Sequence, residues 1–249
     1  MVIDLYTLCW NEMDILPFVV DYWKRFVTHA YVYDNGSTDG SVEYLNQFDW
    51  IEVRHFDTDG MDDATLRDIK NSVWKESKGK ADWVVVCDMD EIVFSEDLEK
   101  ELKNAEEKGF TIVGSKWYWL CEDSKPVYDC DKLLHQVCTK FYENDGKYLI
   151  FNPNEINEIG YSVGAHTINP KGNVSKYESN NIVVFHTNKG FGIDYKIGRY
   201  KEMNERQSAK NKANRWSIHY GFSEKALIDD YLKCQKNSFN FNDKTRNVR

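Results

Sequence analysis

The amino-acid sequence predicts an α/β fold with a mostly parallel central sheet flanked by helices. Short apolar segments alternate with segments of helical periodicity along the first 120 residues, and such strand–helix–strand repeats form parallel sheets with right-handed crossovers. Residues 83–94 include four consecutive apolar residues, mostly β-branched, a run too short for a helix and typical of a strand buried on both faces. We therefore expect this strand in the middle of the sheet.

The first part of the chain is a regular alternation of predicted elements. In chain order they are a strand (2–9), a helix (13–27), a strand (30–33), a helix (41–47), a strand (50–55), a helix (64–78), the strand beginning at 83, a helix (95–108) and a strand (111–119). Three of the strands end in polar loops, at 9–12, 34–41 and 88–91. Ligands bind outside the carboxyl ends of parallel strands, so these loops mark the expected site.

The pattern changes after residue 120. Short strands at 137–142 and 148–151, turns rich in Gly and Asn, and an apolar strand ending in the polar segment 186–188 predict a mixed, partly antiparallel region. Residues 193–213 and 224–237 predict two helices. We expect one compact body in three parts, 1–120, 121–195 and 196–249.

The charge of the chain is unevenly distributed. The formal net charge is −9, which argues against nucleic acid as the main partner. Residues 195–249 carry +7 and residues 1–194 carry −16. This basic C-terminal segment could meet a phosphate, an anionic membrane surface or the acidic body itself, or form a solvated helix face.

The cysteines and the apolar segments predict a compartment. Six cysteines form no C-x-x-C pair, the sequence starts directly with a strand, and no apolar run approaches membrane-spanning length. We expect a reduced cytoplasmic protein, at the inner face of the membrane if the basic segment contacts lipid.

Asp88 and Asp90 follow the buried strand and point to the same side of an extended backbone. Two adjacent carboxylates repel each other, and a hard divalent cation such as Mg²⁺ or Mn²⁺, shared with substrate phosphates, offsets that repulsion. The alternative is an acidic turn that caps the next helix.

Taken together, the polar loops resemble a known family. The Asn-Glu pair at 11–12, the Asp-Asn-Gly-Ser-Thr-Asp-Gly-Ser segment at 34–41, the Arg-x-x-x-Asn spacing at 67–71 and the Asp-Met-Asp-Glu segment at 88–91 are similar to inverting family 2 glycosyltransferases of the GT-A fold. The resemblance covers residues 2–95 well and 110–200 loosely. It implies a Rossmann-like sheet with a nucleotide-sugar-binding half (1–120), an acceptor-side half (121–195) and a C-terminal helical extension (196–249).

The resemblance implies a donor site that holds a nucleotide sugar, with UDP preferred. The residues expected to bind the nucleotide are Glu12, Asp34, Asn35, Arg67, Asn71 and Asp88. Asp34 would accept the N3–H of a uracil, and Arg67 would neutralise phosphate or contact the base, unless it forms a surface ion pair with Asp63. Gly36 and Gly40 permit the tight turn between them.

The implied metal is Mn²⁺ or Mg²⁺. Asp90 would bind it directly, Asp88 through water or the ribose, and His186 would complete the site. His166 is the rival of His186, and either imidazole could instead be a structural residue.

An inverting transfer needs a general base that deprotonates the acceptor hydroxyl. Asp123, with Glu122 as the alternative, follows the strand after Asp-x-Asp, where this architecture places the base. Trp117, Tyr118 and Trp119 would form an acceptor platform, or simply belong to the core.

These observations predict a metal-dependent inverting glycosyltransferase. It would move a sugar from a UDP-sugar to a glycan, glycolipid or other hydroxyl acceptor, in the synthesis of surface polysaccharide. A sugar nucleotidyltransferase would need a Gly-rich basic loop after the first strand, which this chain lacks. A non-catalytic nucleotide-sugar or glycan-binding module of the same fold is the main alternative, and a membrane-tethered assembly subunit would rest on the basic segment alone.

Overall fold

The computed structural model describes residues 1–187 and 190–246. Its strands are β1 (Ile3–Cys9), β2 (His29–Asp34), β3 (Ile51–His55), β4 (Trp83–Asp88), β5 (Glu91–Phe94), β6 (Ile112–Leu120), β7 (Phe141–Phe151), β8 (Ile156–Glu158), β9 (Lys171–Gly172) and β10 (Lys176–His186). The α-helices are α1 (Leu16–Trp23), α2 (Ser41–Leu45), α3 (Asp63–Ser72), α4 (Leu98–Glu107), α5 (Leu134–Val137), α6 (Ile193–Glu205), α7 (Ala209–Asn214), α8 (Glu224–Lys236) and α9 (Phe241–Arg246). Short 3₁₀ helices cover Val73–Ser77, Val163–Ala165 and Ile218–Gly221.

One large sheet organises the molecule, with strand order β3-β2-β1-β4-β7-β6-β10-β5. The first four of these strands are parallel, which confirms the predicted α/β architecture. β4 pairs with β1 on one side and β7 on the other, and all its residues except Asp88 are buried. The β-branched run therefore lies at the centre of the sheet, where both faces are covered.

The rest of the sheet is mixed, as predicted. β7 runs antiparallel to both β4 and β6, β10 is parallel to β6, and β5 is antiparallel to β10. Strands of the parts 1–120 and 121–195 thus interleave in one sheet. The boundary at residue 120 remains a prediction about the chain.

Two predicted strands of this region were wrong in their bounds. The segments 137–142 and 148–151 belong to a single strand, β7, which continues through Gly146, and residues 134–137 form the short helix α5. Pairing with nearly the whole of β6 holds the polar middle of β7 extended, a long-range effect that local composition does not report. The predicted strand 182–188 begins earlier, at Lys176, and its last residue, Asn188, lies outside the described residues.

The predicted helix 193–213 is interrupted. α6 ends at Glu205, and residues 206–208 pair instead with Met61, whose backbone N–H donates to the carbonyl of Arg206 (2.7 Å) and whose carbonyl accepts from the N–H of Ser208 (3.1 Å). Ser208 then caps α7, because its hydroxyl accepts the N–H of Asn211 (3.1 Å). The tertiary contact replaces helical hydrogen bonds that the local sequence would favour.

The core lies on both faces of the sheet. One apolar cluster joins β1 and β4 to α1 and α4, and a second packs Trp74, Tyr6 and Phe151 on the opposite face. Helix α8 packs Tyr231 and Cys234 against Cys121. Within the described ranges, no helix has the length and apolar character needed to cross a bilayer.

Candidate functional site

A cavity of about 580 Å³ opens at the carboxyl ends of the parallel strands. Seven of the residues predicted to bind the nucleotide or the metal line it: Glu12, Asn35, Arg67, Asp88, Asp90, His166 and His186. Four other predicted site residues, Asp34, Asn71, Glu122 and Asp123, are not among its lining residues. The sheet therefore brings most of the predicted donor and metal residues together, and separates the predicted general bases from them.

Asp90 and His186 meet at the floor of the cavity. The Nε2 atom of His186 lies 3.1 Å from Oδ2 of Asp90, and the two side chains are 14% and 16% exposed. The contact arises because β10 runs antiparallel to β5, which places His186 opposite Glu91, next to Asp90 in the chain. The other ring nitrogen of His186, Nδ1, is buried without a hydrogen-bond partner among the described residues.

This pair fits a divalent cation. Two ligands of an octahedral ion with bonds of about 2.1 Å lie about 3 Å apart, close to the separation of the two side-chain atoms. Imidazole nitrogen and carboxylate oxygen are both ligands that Mn²⁺ accepts. The chemistry and spacing of the donor set thus suit the metal that the sequence implies.

Asp88 faces a different partner, Lys70. Its Oδ1 lies 2.6 Å from the Lys70 ammonium, which is almost fully buried. Among the described residues, the ligand atoms of Asp88, Asp90 and His186 do not all lie within 4.8 Å of one another, so Asp88 stands apart from the Asp90–His186 pair. Burial opposes the charge of Lys70, but the nearby carboxylates of Asp88 and Glu91 prevail and raise its pKa.

A buried ion pair supports the Asp-x-Asp turn. Glu91 and Lys147 contact each other with side-chain exposures of 1% and 3%, and Glu91 also accepts the backbone N–H of Asp88 (3.1 Å). Burial opposes the charge of Glu91, yet Lys147 lowers the pKa of its carboxyl. The Lys147 ammonium lies 4.5 Å from the ring centre of Trp117, a cavity residue. The pair fixes the backbone that carries Asp88 and Asp90.

The 34–41 loop is held by its own carboxylates. Asp34 is 3% exposed and accepts the backbone N–H groups of Gly36 (3.0 Å) and Ser37 (3.1 Å). Gly36 has φ +78°, a conformation that favours glycine. Asp34 therefore stabilises the turn, and its neighbour Asn35 is the residue of this pair that reaches the cavity.

The cavity is lined by two arginines that the sequence did not predict: Arg199 lies within α6, and Arg206 directly follows its last residue. Arg199 donates to the backbone carbonyl of Trp10 (2.9 Å) and to the carboxylate of Glu12. Arg206 lies over the Trp10 indole, 4.1 Å from the ring centre. Burial raises the pKa of Glu12, and Arg199 opposes that rise. The only sequence signal for these cations was the basic composition of the C-terminal segment.

Helix α3 contributes Arg67 to the cavity wall. Its guanidinium pairs with Asp68 (2.7 Å) rather than with Asp63, which accepts the hydroxyl hydrogen of Ser217 (2.6 Å). Asn71, one turn later, exchanges two hydrogen bonds with the backbone of Tyr161. Asn71 thereby anchors the loop that carries His166, and Arg67 is the member of the Arg-x-x-x-Asn pair that lines the cavity.

The predicted general bases form structural contacts. Glu122 accepts the backbone N–H groups of Thr139 and Lys140, at 2.5 and 2.6 Å. Asp123 is exposed and accepts from Lys140 (2.6 Å) and Gln235 (2.9 Å). Both residues link the end of β6 to neighbouring elements.

His166 approaches the cavity from the loop after β8. Its ring centre lies 5.8 Å from that of Trp117, and the His186 ring lies 5.0 Å from the same indole. Burial lowers the pKa of His166, with Lys147 acting in the same direction, so its imidazole is neutral at neutral pH. Trp117 and Trp119 both line the cavity beside these rings.

An α/β sheet whose parallel strands bring polar loops to one cavity is the arrangement expected of a GT-A-type glycosyltransferase. The profile described as Glycosyl transferase family 2 matches residues 7–164, and the chain belongs to that family.

Several solved structures resemble the fold. TarS of S. aureus superposes with a TM-score of 0.46 and 11% identity, over 93% of this chain and 43% of that chain. Residues 1–349 of TarS in complex with UDP superpose with a TM-score of 0.43 and 9% identity, over 93% of this chain and 71% of that chain. The third structure is glucosyl-3-phosphoglycerate synthase from Mycobacterium tuberculosis in complex with Mn²⁺, UDP and glucosyl-3-phosphoglycerate. It superposes with a TM-score of 0.33 and 19% identity, over 47% of this chain and 44% of that chain. The chain spans less than half the length of the first TarS structure, and no curated protein sequence matches it.

Proposed function

We propose that this chain is a metal-dependent, inverting glycosyltransferase that transfers a sugar from a UDP-sugar to a hydroxyl group of a glycan or glycolipid. The observation that carries the proposal is the contact between Asp90 and His186 in a cavity that also contains Arg199 and Arg206. A paired carboxylate and imidazole suit a divalent cation, and guanidinium groups suit phosphate oxygens. A nucleoside diphosphate with a bound metal combines both requirements.

In this proposal Asp90 and His186 would hold Mn²⁺ or Mg²⁺, with Asp88 joining through water or the ribose. The ion would neutralise the negative charge that develops on the leaving diphosphate. The ion pair with Lys70 orients the Asp88 carboxylate, and the buried Glu91–Lys147 pair stabilises the backbone turn that carries Asp88 and Asp90. Rigid support of this kind keeps carboxylates oriented without reorganisation at the moment of reaction.

The nucleoside would lie towards Arg67, at the α3 side of the cavity. Glu12 would accept a hydroxyl or amide proton of the nucleoside, as the resemblance implies. Asp34 and Asn71 would contribute by shaping the loops around it.

The acceptor would enter on the side of Trp117 and Trp119. Indole faces offer an apolar surface on which a sugar ring can stack, and both lie beside the proposed metal site. A role in surface polysaccharide synthesis at the inner face of the membrane would follow if the basic segment near the cavity mouth binds lipid.

The test is nucleotide-dependent thermal stability of the wild type and of Asp90→Asn, with UDP, GDP, CMP and dTDP, each in Mn²⁺ and in EDTA. A ligand present at about 100 times its Kd adds about 2.7 kcal/mol, which raises Tm by a few degrees. We expect UDP with Mn²⁺ to stabilise the wild type and to lose its effect in EDTA or in Asp90→Asn. Stabilisation that is independent of metal, or absent with every nucleotide, would contradict the proposal.

A non-catalytic nucleotide-sugar or glycan-binding module is the second candidate. It is favoured by the positions of Glu122 and Asp123, since neither predicted base lines the cavity. Release of UDP from a panel of UDP-sugars distinguishes the two, because a binding module would bind the donor in Mn²⁺ without turning it over.

A further inference from the structure

Arg206 forms no ion pair with a carboxylate in the part of the chain that the structure describes. Its guanidinium donates to the backbone carbonyl of Asn35 (3.2 Å) and to the side-chain oxygen of the same residue. Among residues 1–187 and 190–246, no carboxylate lies within 4.0 Å of it, whereas Arg199 in the same cavity pairs with Glu12. Burial lowers the pKa of Arg206 to about 10, with Arg199 acting in the same direction and the carboxylate of Asp34 opposing both. Asp34 compensates the buried charge of Arg206 only in part, and a partly compensated cation is costly unless a ligand supplies more negative charge.

The backbone of Arg206 is held in place from the opposite wall of the cavity. Residues 206–208, here called the strap, pair with Met61 through the two backbone hydrogen bonds described above. The approach is close because residue 60 is glycine: a Cβ atom at Gly60 would lie 2.2 Å from the carbonyl oxygen of Arg206. Gly60 also has φ +70°, in the left-handed region. The backbone contact between the strap and residues 60–61 therefore positions the Arg206 guanidinium, and any side chain at position 60 would disturb that contact.

We propose that Arg206, carried on this strap, is the residue that binds the diphosphate of the donor nucleotide, and that docking of the strap on Gly60 and Met61 sets donor affinity. The inference rests on the proposed function and adds a specific anion-binding residue to it. Trp10 keeps the guanidinium plane fixed by stacking. The guanidinium of Arg206 has five N–H donors, and its hydrogen bonds to Asn35 use only some of them. The remaining N–H groups are available to phosphate oxygens.

A phosphate fits Arg206 better than a nucleobase does. The carbonyl groups of a base would accept hydrogen bonds but would leave the positive charge uncompensated. The protein uses most of the hydrogen-bonding capacity of Asn35, because its side-chain oxygen accepts from Arg206 and from Thr58 (2.9 Å) and one of its two amide N–H groups donates to the carbonyl of Phe56 (3.1 Å). The charge of Arg206 is therefore only partly compensated by the protein, and the negative charge of a diphosphate would complete the compensation.

The experiment is calorimetric titration of the full chain with UDP, UMP and uridine in Mn²⁺. We expect Arg206→Gln to weaken UDP binding at least about tenfold and uridine binding less than about threefold, because a hydrogen-bonded charge pair is lost only with the phosphates. Arg206→Lys should recover part of the affinity, since it restores charge but not the planar donors. Lys201→Gln, an exposed charge removal on α6, is the matched control and should bind as the wild type does.

Gly60→Ala tests the strap without changing a cavity side chain. Its matched control is Gly79→Ala, because Gly79 has φ +73° but no atom within 4 Å of a built Cβ. We expect Gly60→Ala to weaken UDP binding and Gly79→Ala to leave it unchanged, with thermal unfolding confirming that both variants fold.

The outcomes separate this inference from the proposed function. Equal UDP affinity of the wild type and Arg206→Gln overturns the inference alone, as does a loss that is as large for uridine as for UDP. Failure of the wild type to bind UDP in Mn²⁺ overturns both. Undiminished UDP binding by Gly60→Ala overturns the role of strap docking.

Discussion

The two imidazoles at the cavity differ in what they contact. His186 touches Asp90 and has a buried ring nitrogen without a partner among the described residues, whereas His166 lies on a loop beside Trp117. We therefore expect His186→Gln to weaken Mn²⁺ binding at least about tenfold, and His166→Gln, its matched control, to change it less than about twofold. Free Mn²⁺ measured by electron paramagnetic resonance reports both. The reverse order would make His166 the ligand.

Asp123 provides the sharpest test of the general-base prediction. Its carboxylate is exposed, outside the cavity lining, and bonded to Lys140 and Gln235. A general base must come within hydrogen-bond reach of the acceptor hydroxyl. From these contacts we expect Asp123→Asn to change kcat less than about twofold, against the 10²–10⁴-fold expected for loss of a base. A loss in that larger range, without a change in Tm, would establish Asp123 as the base.

Single residues of the site were predictable when a local pattern placed them. Asp90, Glu12 and Asn35 each follow a strand, and parallel strands deliver their carboxyl ends to one edge. Arg199 was not predictable, because it meets Glu12 across 187 residues of sequence and lies on a helix with ordinary periodicity. The Asp34 carboxylate is not among the cavity-lining groups, because it accepts hydrogen bonds from two backbone N–H groups of the turn that follows it.

Helix α5 contains a histidine whose burial should make stability depend on pH. His135 is 5% exposed, and its Nδ1 lies 2.8 Å from the hydroxyl oxygen of Tyr22, within hydrogen-bond distance. Burial lowers the pKa of His135 from 6.5 to about 4, with Arg25 adding to the effect. The unfolded chain therefore binds a proton between these values that the folded chain does not. Stability contributed by the neutral ring is present above pH 6.5 and is lost as the pH falls towards 4.

The expected loss for this group is about 2 kcal/mol between pH 7 and pH 5. Urea unfolding at the two pH values measures it, and His135→Phe should reduce the pH dependence by that amount whatever it does to stability at pH 7. Carboxylates contribute to both proteins and cancel in the comparison. An unchanged pH dependence in His135→Phe would show that the histidine is not buried in its neutral form.

At the level of elements, prediction succeeded where neighbours in sequence are neighbours in space. β1 to β4 and the helices between them follow one local rhythm, and their existence and type were correct. The single strand β7 and the interruption between α6 and α7 both involve pairing with distant segments, and in α5 the backbone N–H of His135 donates to the hydroxyl of the distant Tyr22 (3.0 Å). Such pairing overrides local propensity, which is only a weak influence on either element.

At the scale of the whole molecule, charge is segregated around the cavity mouth. The chain carries −9 overall, yet the eighteen residues from 206 to 223 contain four basic residues and no acidic one. Arg206 turns into the cavity, and Lys210 reaches Asp62 at 3.4 Å. Lys212 and Arg215 are exposed and lack an ion-pair partner within the described ranges. Ile218 and Phe222 add side chains that are 49% and 52% exposed.

This combination favours an anionic lipid surface at the mouth of the site. Each basic residue near such a surface contributes about 1 kcal/mol, and the two apolar side chains can enter the interface, so binding should be weak, reversible and sensitive to salt. We expect the protein to sediment with vesicles containing phosphatidylglycerol and not with pure phosphatidylcholine, and to be released by about 0.5 M NaCl. The double variant Ile218→Ser/Phe222→Ser should lose the binding, while Val127→Ser, at a side chain 86% exposed outside this segment, should keep it. Sedimentation that is equal for both kinds of vesicle, or unaffected by the double variant, would show that residues 206–223 do not bind an anionic lipid surface.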